Sequence, residues 1–519
     1  MSDSEYQELL RLRAERTATA AENKALHDLI DQLRNQLSQS ISANEELRDL
    51  LKDLQAKLDT LIVQQQKRNR KDYGKKTEKH NPRPALSAQP ASDTAPRNGK
   101  NILRTKKIEE LLPEDIVHTV PEAERQCRDC LVDKIELGTD VSYQLDRIIG
   151  TMKRLRHIQE ILVCPKCRSN ISVAGKPEPP FPKSTAAPGL LSHVIVSKYA
   201  DFSPLYRLER IYAREGAPIP RSTLADWILA GSLTLEPLYN LMASQVFRSK
   251  VVATDDTEVK VQDRSHGKNI RKAKMTVYVG DTKFPYSIFD FSPNQSFERN
   301  KLMFANFKGF VQADAAPGLN TIFEDGKRLE VGCNAHARRK FYECQPVAEQ
   351  KVKPILELYN DIYKIEAVAK QRGALASELL HLRQTASKPL FDQLYQRILE
   401  LHKTELPKSP LAKAINYNLE HWIALTRFLD DPDLAIDNNM CERTIKDFVL
   451  CRKNALFVGS DAGGKAAAIC LSLLVSAKRH GIEPWSYLKD IFTRINSVTT
   501  NQLHQFLPDV WLKSQSQDL

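Results

Sequence analysis

Three acidic residues stand where a carboxylate is unusual. Asp255 lies in the middle of the strand pattern VVATDDTEVKV, and Asp314 closes the apolar run FKGFVQAD just before Ala-Ala-Pro-Gly. Glu442 lies among asparagines and cations in DNNMCERTIKDFVLCRK. An acid in a buried strand is costly unless it is paired or binds a metal, and carboxylate oxygens suit Mg²⁺. The three acids therefore indicate a metal site, and the cations near Glu442 indicate a polyanionic substrate.

Asp256 is the alternative to Asp255 as the first acid. Side chains alternate between the two faces of a strand, so these neighbouring aspartates point in opposite directions. Only one of them is expected to share a site with the other acids, and we favour Asp255.

Basic residues in several segments are candidates for phosphate contacts. Arg443, Arg452 and Lys453 flank the helix predicted around Glu442. His336 and the cations that follow it are candidates for lining a DNA channel, although a lone histidine is more often structural. The predicted DNA-binding residues are Lys67, Arg68, Arg70, Lys71, Arg221, Arg338, Arg339, Arg443, Arg452 and Lys453.

The elements that must position the acids follow from the patterning. Residues 249–345 predict three strands, a helix, a strand, a helix and a fifth strand, the order of an RNase H-like α/β core. Residues 346–431 are charged, amphipathic and helical, which predicts a helical insertion. Residues 432–496 complete the core, with RKNALFVG as a strand and SDAGG as a turn, and residues 497–519 are assigned to a tail. The fold class is multidomain α+β.

Composition limits the partners. The net charge is +11 and the pI about 9.0, a balance that favours nucleic acid over a membrane, although solubility alone would also explain it. The sequence has no apolar h-region and no apolar run long enough to span a bilayer. We therefore expect a soluble cytoplasmic protein, associated with the bacterial nucleoid and not with a membrane.

Residues 5–63 carry the heptad repeat of a coiled coil. With Leu9 at position a, apolar residues fill most a and d positions as far as Leu61, and no proline or glycine interrupts them. Such a repeat supercoils helices around each other. Asn23 and Asn44 fall at a positions, where a buried asparagine favours two strands. We expect at least a homodimer; the alternative is a helix packed on its own domain.

Two further segments are candidates for DNA contacts. Residues 64–104 predict a basic, flexible linker that either grips phosphates or is a solvated charge run. Residues 178–248 predict helices, and the helix beginning at Arg221 has helix-turn-helix-like spacing. A generic helical bundle is the alternative for that second segment.

Residues 105–176 predict a small zinc module. Cys127 and Cys130 form one CxxC pair, and Cys164 and Cys167 form a second. Two such pairs supply four thiolates to one tetrahedral Zn²⁺, and the β-rich sequence between them suits a zinc ribbon. A redox dithiol would need only one pair. The remaining cysteines have no ligand spacing and predict packed thiols: Cys333, Cys344, Cys441, Cys451 and Cys470.

The segment NNMCERTIKDFVLCRKNALFVGSDAGGKAAA resembles the C-terminal motif of the insertion-sequence sixty-six family of DDE transposases, TnpC type. The same order of parts extends over nearly the whole chain: the leucine zipper, DYGKKTEK, the two CxxC pairs, SKYADFSPLYRLERIYAREG, TDDT, FVQAD and CNAHARRKF. The chain departs from the family pattern at Asp256, Asn334, Lys446 and Asp447, beside the candidate acids.

The resemblance implies that Asp255, Asp314 and Glu442 are the catalytic acids, holding two Mg²⁺ or Mn²⁺ ions. Two ions about 4 Å apart clamp the attacking and leaving oxygens at a phosphodiester. The implied reaction is cleavage at element ends and joining of the 3′-OH to target DNA, possible partners being accessory proteins of the same element. Two alternatives are a zinc-containing DNA-binding regulator with an inert core, and a structure-specific nuclease of the same fold.

Overall fold

The computed structural model describes residues 3–73, 152–158, 161–163, 171–173, 177–263, 269–294, 298–315 and 317–517. The predicted zinc ligands Cys127, Cys130, Cys164 and Cys167 lie outside these residues, so the zinc module stays a prediction. None of the described helices is long and apolar enough to cross a membrane.

The strands of the described residues are β1 (Ile161–Val163), β2 (Ile171–Val173), β3 (Val251–Gln262), β4 (Ile270–Val279), β5 (Ser287–Ser292), β6 (Gly309–Gln312) and β7 (Arg328–Val331). The α-helices are α1 (Asp3–Tyr73), α2 (Pro188–Tyr199), α3 (Leu205–Arg214), α4 (Arg221–Val246), α5 (Glu298–Met303), α6 (Asn320–Phe323), α7 (Asn334–Tyr342), α8 (Gln345–Arg372), α9 (Ala376–Leu382), α10 (Lys388–Thr404), α11 (Pro410–Glu420), α12 (Trp422–Thr426), α13 (Asn439–Ala455), α14 (Asp461–Arg479), α15 (Pro484–Arg494) and α16 (Pro508–Gln517).

Five strands form one mixed sheet in the order β5-β4-β3-β6-β7. The first three strands are antiparallel neighbours, whereas β6 and β7 run parallel to β3. Each was predicted from its apolar pattern, and β5 is buried along its whole length. Strands β1 and β2 pair separately as an antiparallel hairpin.

Helices cover both edges of this sheet, where unpaired backbone groups would otherwise be exposed. On α14, the Ser472 hydroxyl accepts the backbone N–H of Phe289 at 2.8 Å, and the Ser476 hydroxyl accepts that of Ser287 at 3.0 Å. A Cβ on Gly464 would lie 2.5 Å from the Phe291 ring, so only glycine allows α14 to approach β5 this closely. At the other edge, Gly332 after β7 donates to Ala424 O.

Helices α2, α4 and α14 share one apolar core with the sheet. Buried residues recur along the whole of α4, from Leu224 to Val246. The boundary predicted at residue 248 therefore does not coincide with a break in packing. Helix α4 has a buried face along its whole length because it packs into the core that it shares with the sheet.

The predicted insertion forms a second apolar core around α8, α10 and α11, which also packs against α7 and β7. Arg383 holds the chain in place where the insertion ends and leads back towards the sheet. The guanidinium is 2% exposed, forms a two-pronged ion pair with Glu366 at 2.8 and 2.9 Å, and donates to the carbonyls of Phe428 and Asp431. These carbonyls lie a short way upstream of α13.

Two local predictions were wrong. RKNALFVG is not a strand: α13 continues to Ala455, and only Val458 forms a single bridge to Val261. SDAGG is not a turn, because Ser460 caps α14 by accepting the Gly463 N–H at 3.1 Å. The chain reverses instead at Leu456, whose φ is +66°.

The chain ends differ from their predicted assignments. Helix α1 continues beyond the predicted coiled coil to Tyr73, into the segment assigned to a linker. Residues 497–517, assigned to a tail, form a 3-10 helix (Thr500–Phe506) and α16. Trp511 is 7% exposed and packs against Tyr487, so this segment belongs to the core.

We expect Arg383→Met to lower the free energy of unfolding by about 3–5 kcal/mol, because it leaves the Glu366 carboxylate uncompensated in a largely buried position. Urea unfolding followed by circular dichroism measures the change. Arg397→Met is the matched control, since Arg397 and Glu400 are an exposed pair and should change stability by less than about 1 kcal/mol. Equal effects of both substitutions would contradict the expectation that the buried Arg383 ion pair contributes more stability than the exposed pair.

Candidate active site

Asp255 and Asp314 lie at the same level of neighbouring parallel strands. Strands β3 and β6 pair Val251 with Phe310 and Ala253 with Gln312. Both aspartates are two residues beyond that last pair, at the carboxyl ends of the paired segments. Asp255 continues along β3 and Asp314 follows the end of β6, so the two acids lie close to where the parallel pairing stops.

Helix α13 brings Glu442 to this edge of the sheet. Asn438 occupies the N-cap position, and its amide donates to Thr254 O on β3 at 2.9 Å. The Gln312 amide donates to Ala435 O at 2.7 Å, and the Asn334 amide donates to Ile436 O at 3.1 Å. The segment before α13 is thus tied to β3, to β6 and to the start of α7.

These ties place Glu442 in the first turn of α13. Of the two predicted capping residues, Asp437 makes the capping bond, and Asn438 occupies the N-cap position without one. Asp437 accepts the Asn439 backbone N–H at 3.1 Å, while the Asn438 side chain donates to the Thr254 carbonyl of the sheet.

The electrostatics show that the three acids are near one another. Burial raises the pKa of Asp255 to about 7, with further increases from the charges of Asp314, Asp256 and Glu442, opposed by the Asp256 backbone N–H. Burial, followed by the charges of the three candidate acids, also raises the pKa of the Cys441 thiol. The ligand atoms of the three acids do not form a group within 4.8 Å of one another among the described residues, but carboxylates in one neighbourhood offer the oxygen ligands that a divalent cation prefers.

Asp256 has a different environment. Its carboxylate accepts from Lys274 at 3.0 Å, and that lysine is only 12% exposed. The charge of Asp256 is therefore compensated by the protein, whereas the largest influences on Asp255 are burial and other acids. The two aspartates therefore have different side-chain partners, and the choice of Asp255 as the first acid stays a prediction.

Cys333 was predicted only as a packed thiol and His336 only as a candidate for lining a DNA channel, yet both lie near Glu442. The ligand-type atoms of Cys333, His336 and Glu442 all lie within 4.8 Å of one another. His336 Nδ1 and Glu442 Oε1 are 3.4 Å apart but not aligned for a hydrogen bond, and both are buried without such a partner among the described residues. Their Cys-x-x-His spacing was the available signal.

Cys333 has a structural role in this cluster. Its sulfur accepts the Asn438 backbone N–H at 3.3 Å, and burial raises its pKa to about 12. Its thiol form is therefore favoured, which makes Cys333 a weaker metal ligand than the carboxylates. Cys344, Cys441 and Cys470 are also buried and Cys451 is half-buried, as packed thiols should be.

The predicted DNA-binding residues divide into exposed and engaged groups. Arg68, Arg221, Arg443 and Lys453 are exposed. The engaged residues are Lys67, which pairs with Glu343 at 2.6 Å, Arg338, which contacts Asn360, and Arg452, which donates to Thr257 Oγ1 at 2.9 Å. Arg339 is half-buried. The side chains of Arg70 and Lys71 lie outside the described residues.

Comparison with known proteins assigns the family. Residues 183–466 match the family model described as Transposase IS66 family, and residues 472–508 match the IS66 C-terminal element.

Similar proteins occur in Sinorhizobium fredii. The uncharacterized protein y4jD is 32% identical over 420 residues, covering 78% of this chain and 81% of that protein. The uncharacterized protein y4hP is 27% identical over 443 residues, covering 80% and 79%. Because the first family model spans more than half of the chain and y4jD aligns over most of both lengths, the chain belongs to the IS66 family of transposases.

Proposed function

We propose that the chain binds the ends of an insertion sequence, cleaves DNA phosphodiesters there and joins the 3′-OH to target DNA by DDE-type catalysis. The observation that carries this proposal is the electrostatic influence of Asp314 and Glu442 on Asp255, which lies within β3 close to where the parallel pairing with β6 stops. Acids in this arrangement on a sheet and an adjacent helix are suited to metal-dependent phosphoryl chemistry.

The sheet supports an RNase H-like assignment of the core. Three antiparallel strands are followed by two parallel strands, in the order β5-β4-β3-β6-β7. The insertion then separates β7 and α7 from α13, which carries the third acid. This arrangement agrees with the order of elements expected from the sequence.

The chain's own residues prepare the reaction. Asp255 presents its carboxylate from within β3, Asp314 from just after β6, and Glu442 from the first turn of α13. When bound, two Mg²⁺ or Mn²⁺ ions would lower the pKa of the attacking hydroxyl and stabilise the leaving oxygen. Exposed Arg443 and Lys453 on the same helix provide charges for the DNA backbone.

Asp255→Asn, Asp314→Asn and Glu442→Gln should each reduce Mg²⁺-dependent nicking of element-end DNA by about 10³-fold or more, since each removes a ligand charge. Gel assays on end-labelled duplexes measure the rate. Asp256→Asn is the matched control and should retain activity within about tenfold, because its neighbour on the strand points to the opposite face, and a melting temperature checks that the partly buried Lys274 does not unfold the variant. Nicking that persists in the three variants would exclude this site and favour the inert-core regulator.

Asp255→Asn should stabilise the metal-free protein at pH 8. Since the folded-state pKa of about 7 lies above the ordinary value of 3.8, ionised Asp255 destabilises the fold above pH 7, and this penalty disappears near pH 4. The variant should gain about 2–4 kcal/mol at pH 8 and little at pH 4.

Thermal unfolding in EDTA tests this expectation. Added Mg²⁺ should stabilise the parent protein and narrow the difference between the two proteins. A variant less stable than the parent at pH 8 without metal would contradict the electrostatic reading.

We also propose that α1 forms a homodimeric coiled coil. Leu51, Leu54 and Leu58 occupy a and d positions and are 52–59% exposed. In contrast, Ala56 and Val63 fall at f positions and are 3% and 8% exposed, because α1 packs against the insertion on that side. Lys408 reinforces this contact by pairing with Asp53 at 3.0 Å. The dimer seam and the intramolecular contact therefore use opposite faces of α1.

Replacing Leu51 and Leu58 by lysine should convert the dimer to a monomer at micromolar concentration, because lysine at a positions carries charge into the seam. Light scattering after size-exclusion chromatography measures the mass. Glu45→Gln with Glu46→Gln is the matched control, because it changes the net charge equally at positions b and c. A dimer that survives the lysine substitutions would exclude this interface.

Zinc binding by Cys127, Cys130, Cys164 and Cys167 remains part of the proposal. The hairpin of β1 and β2 supports it, since its connection, residues 164–170, contains the second CxxC pair. The four thiolates would complete the coordination, so this ion would be structural rather than catalytic.

A further inference from the structure

A cavity of about 270 Å³ lies beside the candidate active site. It is lined by the end of α2, the first turns of α4, the end of α13 and the start of α14, and it is partly open to solvent. Tyr199, Ile228 and Phe448 form buried walls, while Phe457 is 39% exposed at the rim. The volume exceeds the roughly 150 Å³ of an engineered cavity that holds benzene, so a larger planar ring would fit.

The cavity also contains cationic groups. Lys198 and Arg452 both line it. The Lys198 amine lies 5.4 Å from the centre of the Tyr199 ring, burial lowers its pKa, and the charges that act on it come from cysteines rather than carboxylates. A lysine placed in an apolar wall without an acidic partner is suited to an anionic ligand. The combination of apolar walls and cations matches a nucleotide, with its base in the cavity and its phosphate at the cations.

Arg452 joins the cavity to the active site. Its guanidinium donates to the hydroxyl of Thr257 at 2.9 Å and to the carbonyl of Glu258. Thr257 lies two residues beyond Asp255, on the same face of β3 and about 7 Å along the strand. That distance corresponds to about two nucleotide steps of a stacked DNA strand.

The backbone around the cavity is also unusual. Phe202, on its wall, has a φ of +59°, and Leu456, beside it, has a φ of +66°. Residues other than glycine rarely adopt this conformation, which is concentrated at functional sites. Asn454 holds the wall in place by donating to Phe202 O at 2.9 Å. The two walls come from SKYADFSPLYR and RKNALFVGSDAGG, both segments of the family resemblance.

We propose that this cavity receives one unstacked nucleobase of the element-end DNA, within two nucleotides of the cleaved phosphodiester. The aromatic walls contact the base, and Lys198 and Arg452 contact its phosphate. This inference rests on the proposed function, because it places the DNA end at the three acids.

The test uses full-length protein carrying Asp314→Asn, which should bind the DNA without cutting it. A duplex with the element's own end sequence carries 2-aminopurine, whose fluorescence rises on unstacking, at each of the two positions flanking the cleaved bond. One position should show a rise on binding. Lys198→Met, which removes the charge, and Ala225→Phe, which fills the cavity, should each reduce the rise about tenfold.

Lys283→Met is the control for charge, since Lys283 is exposed in the turn between β4 and β5, and the rise should be unchanged. Melting temperatures close to the parent's verify folding of all variants. Two results would overturn the cavity proposal while the proposed function stands, provided that the parent protein cuts the duplex. One is that neither labelled position shows a fluorescence rise, and the other is that the rise persists in both cavity variants. Failure to cut the duplex overturns both.

Discussion

The three acids depend on a scaffold that holds like charges together in a partly buried place. Burial and the neighbouring carboxylates oppose ionisation of Asp255, whose pKa rises to about 7. In a flexible loop these groups would separate to reduce the repulsion. Here Asp255 is fixed within β3, Asp314 just after β6 and Glu442 in the first turn of a helix. The ties from Asn438, Gln312 and Asn334 to neighbouring backbone carbonyls supply the rigidity that the charges require.

The need to hold the acids rigidly also explains how a long insertion is tolerated between Asp314 and Glu442 in the sequence. The entropic cost of closing a loop rises only slowly with loop length, so the many residues between Asp314 and Glu442 add little to this cost. Precision is the harder requirement, and the insertion meets it by folding around its own core. Arg383 then binds the carbonyls of Phe428 and Asp431, which fixes the chain as it returns towards α13.

Sequence patterning predicted the features that repeat or that break a pattern. Strands β3 to β7 and the insertion followed from apolar periodicity, and the three acids stood out as charges in apolar or cationic surroundings. Features that depend on tertiary contacts were missed. RKNALFVG has the β-branched and aromatic character of a strand, yet its first half continues α13. Neither the packing of α4 in the sheet's core nor the packing of Trp511 could be predicted from the neighbouring sequence alone. His336 required knowing that α7 and α13 begin side by side.

Helix α13 has a role that its sequence motif did not suggest. It carries Glu442 in its first turn and Arg452 near its end, and ten helical residues span about 15 Å. Arg452 was assigned to the DNA backbone, but its guanidinium returns to β3 at Thr257 and so holds the far end of the helix against the sheet. The helix is thereby fixed at both ends to the strand that carries Asp255. Any nucleotide held by Arg452 would keep a constant distance from the three acids, since the connection is a helix and a strand rather than a loop.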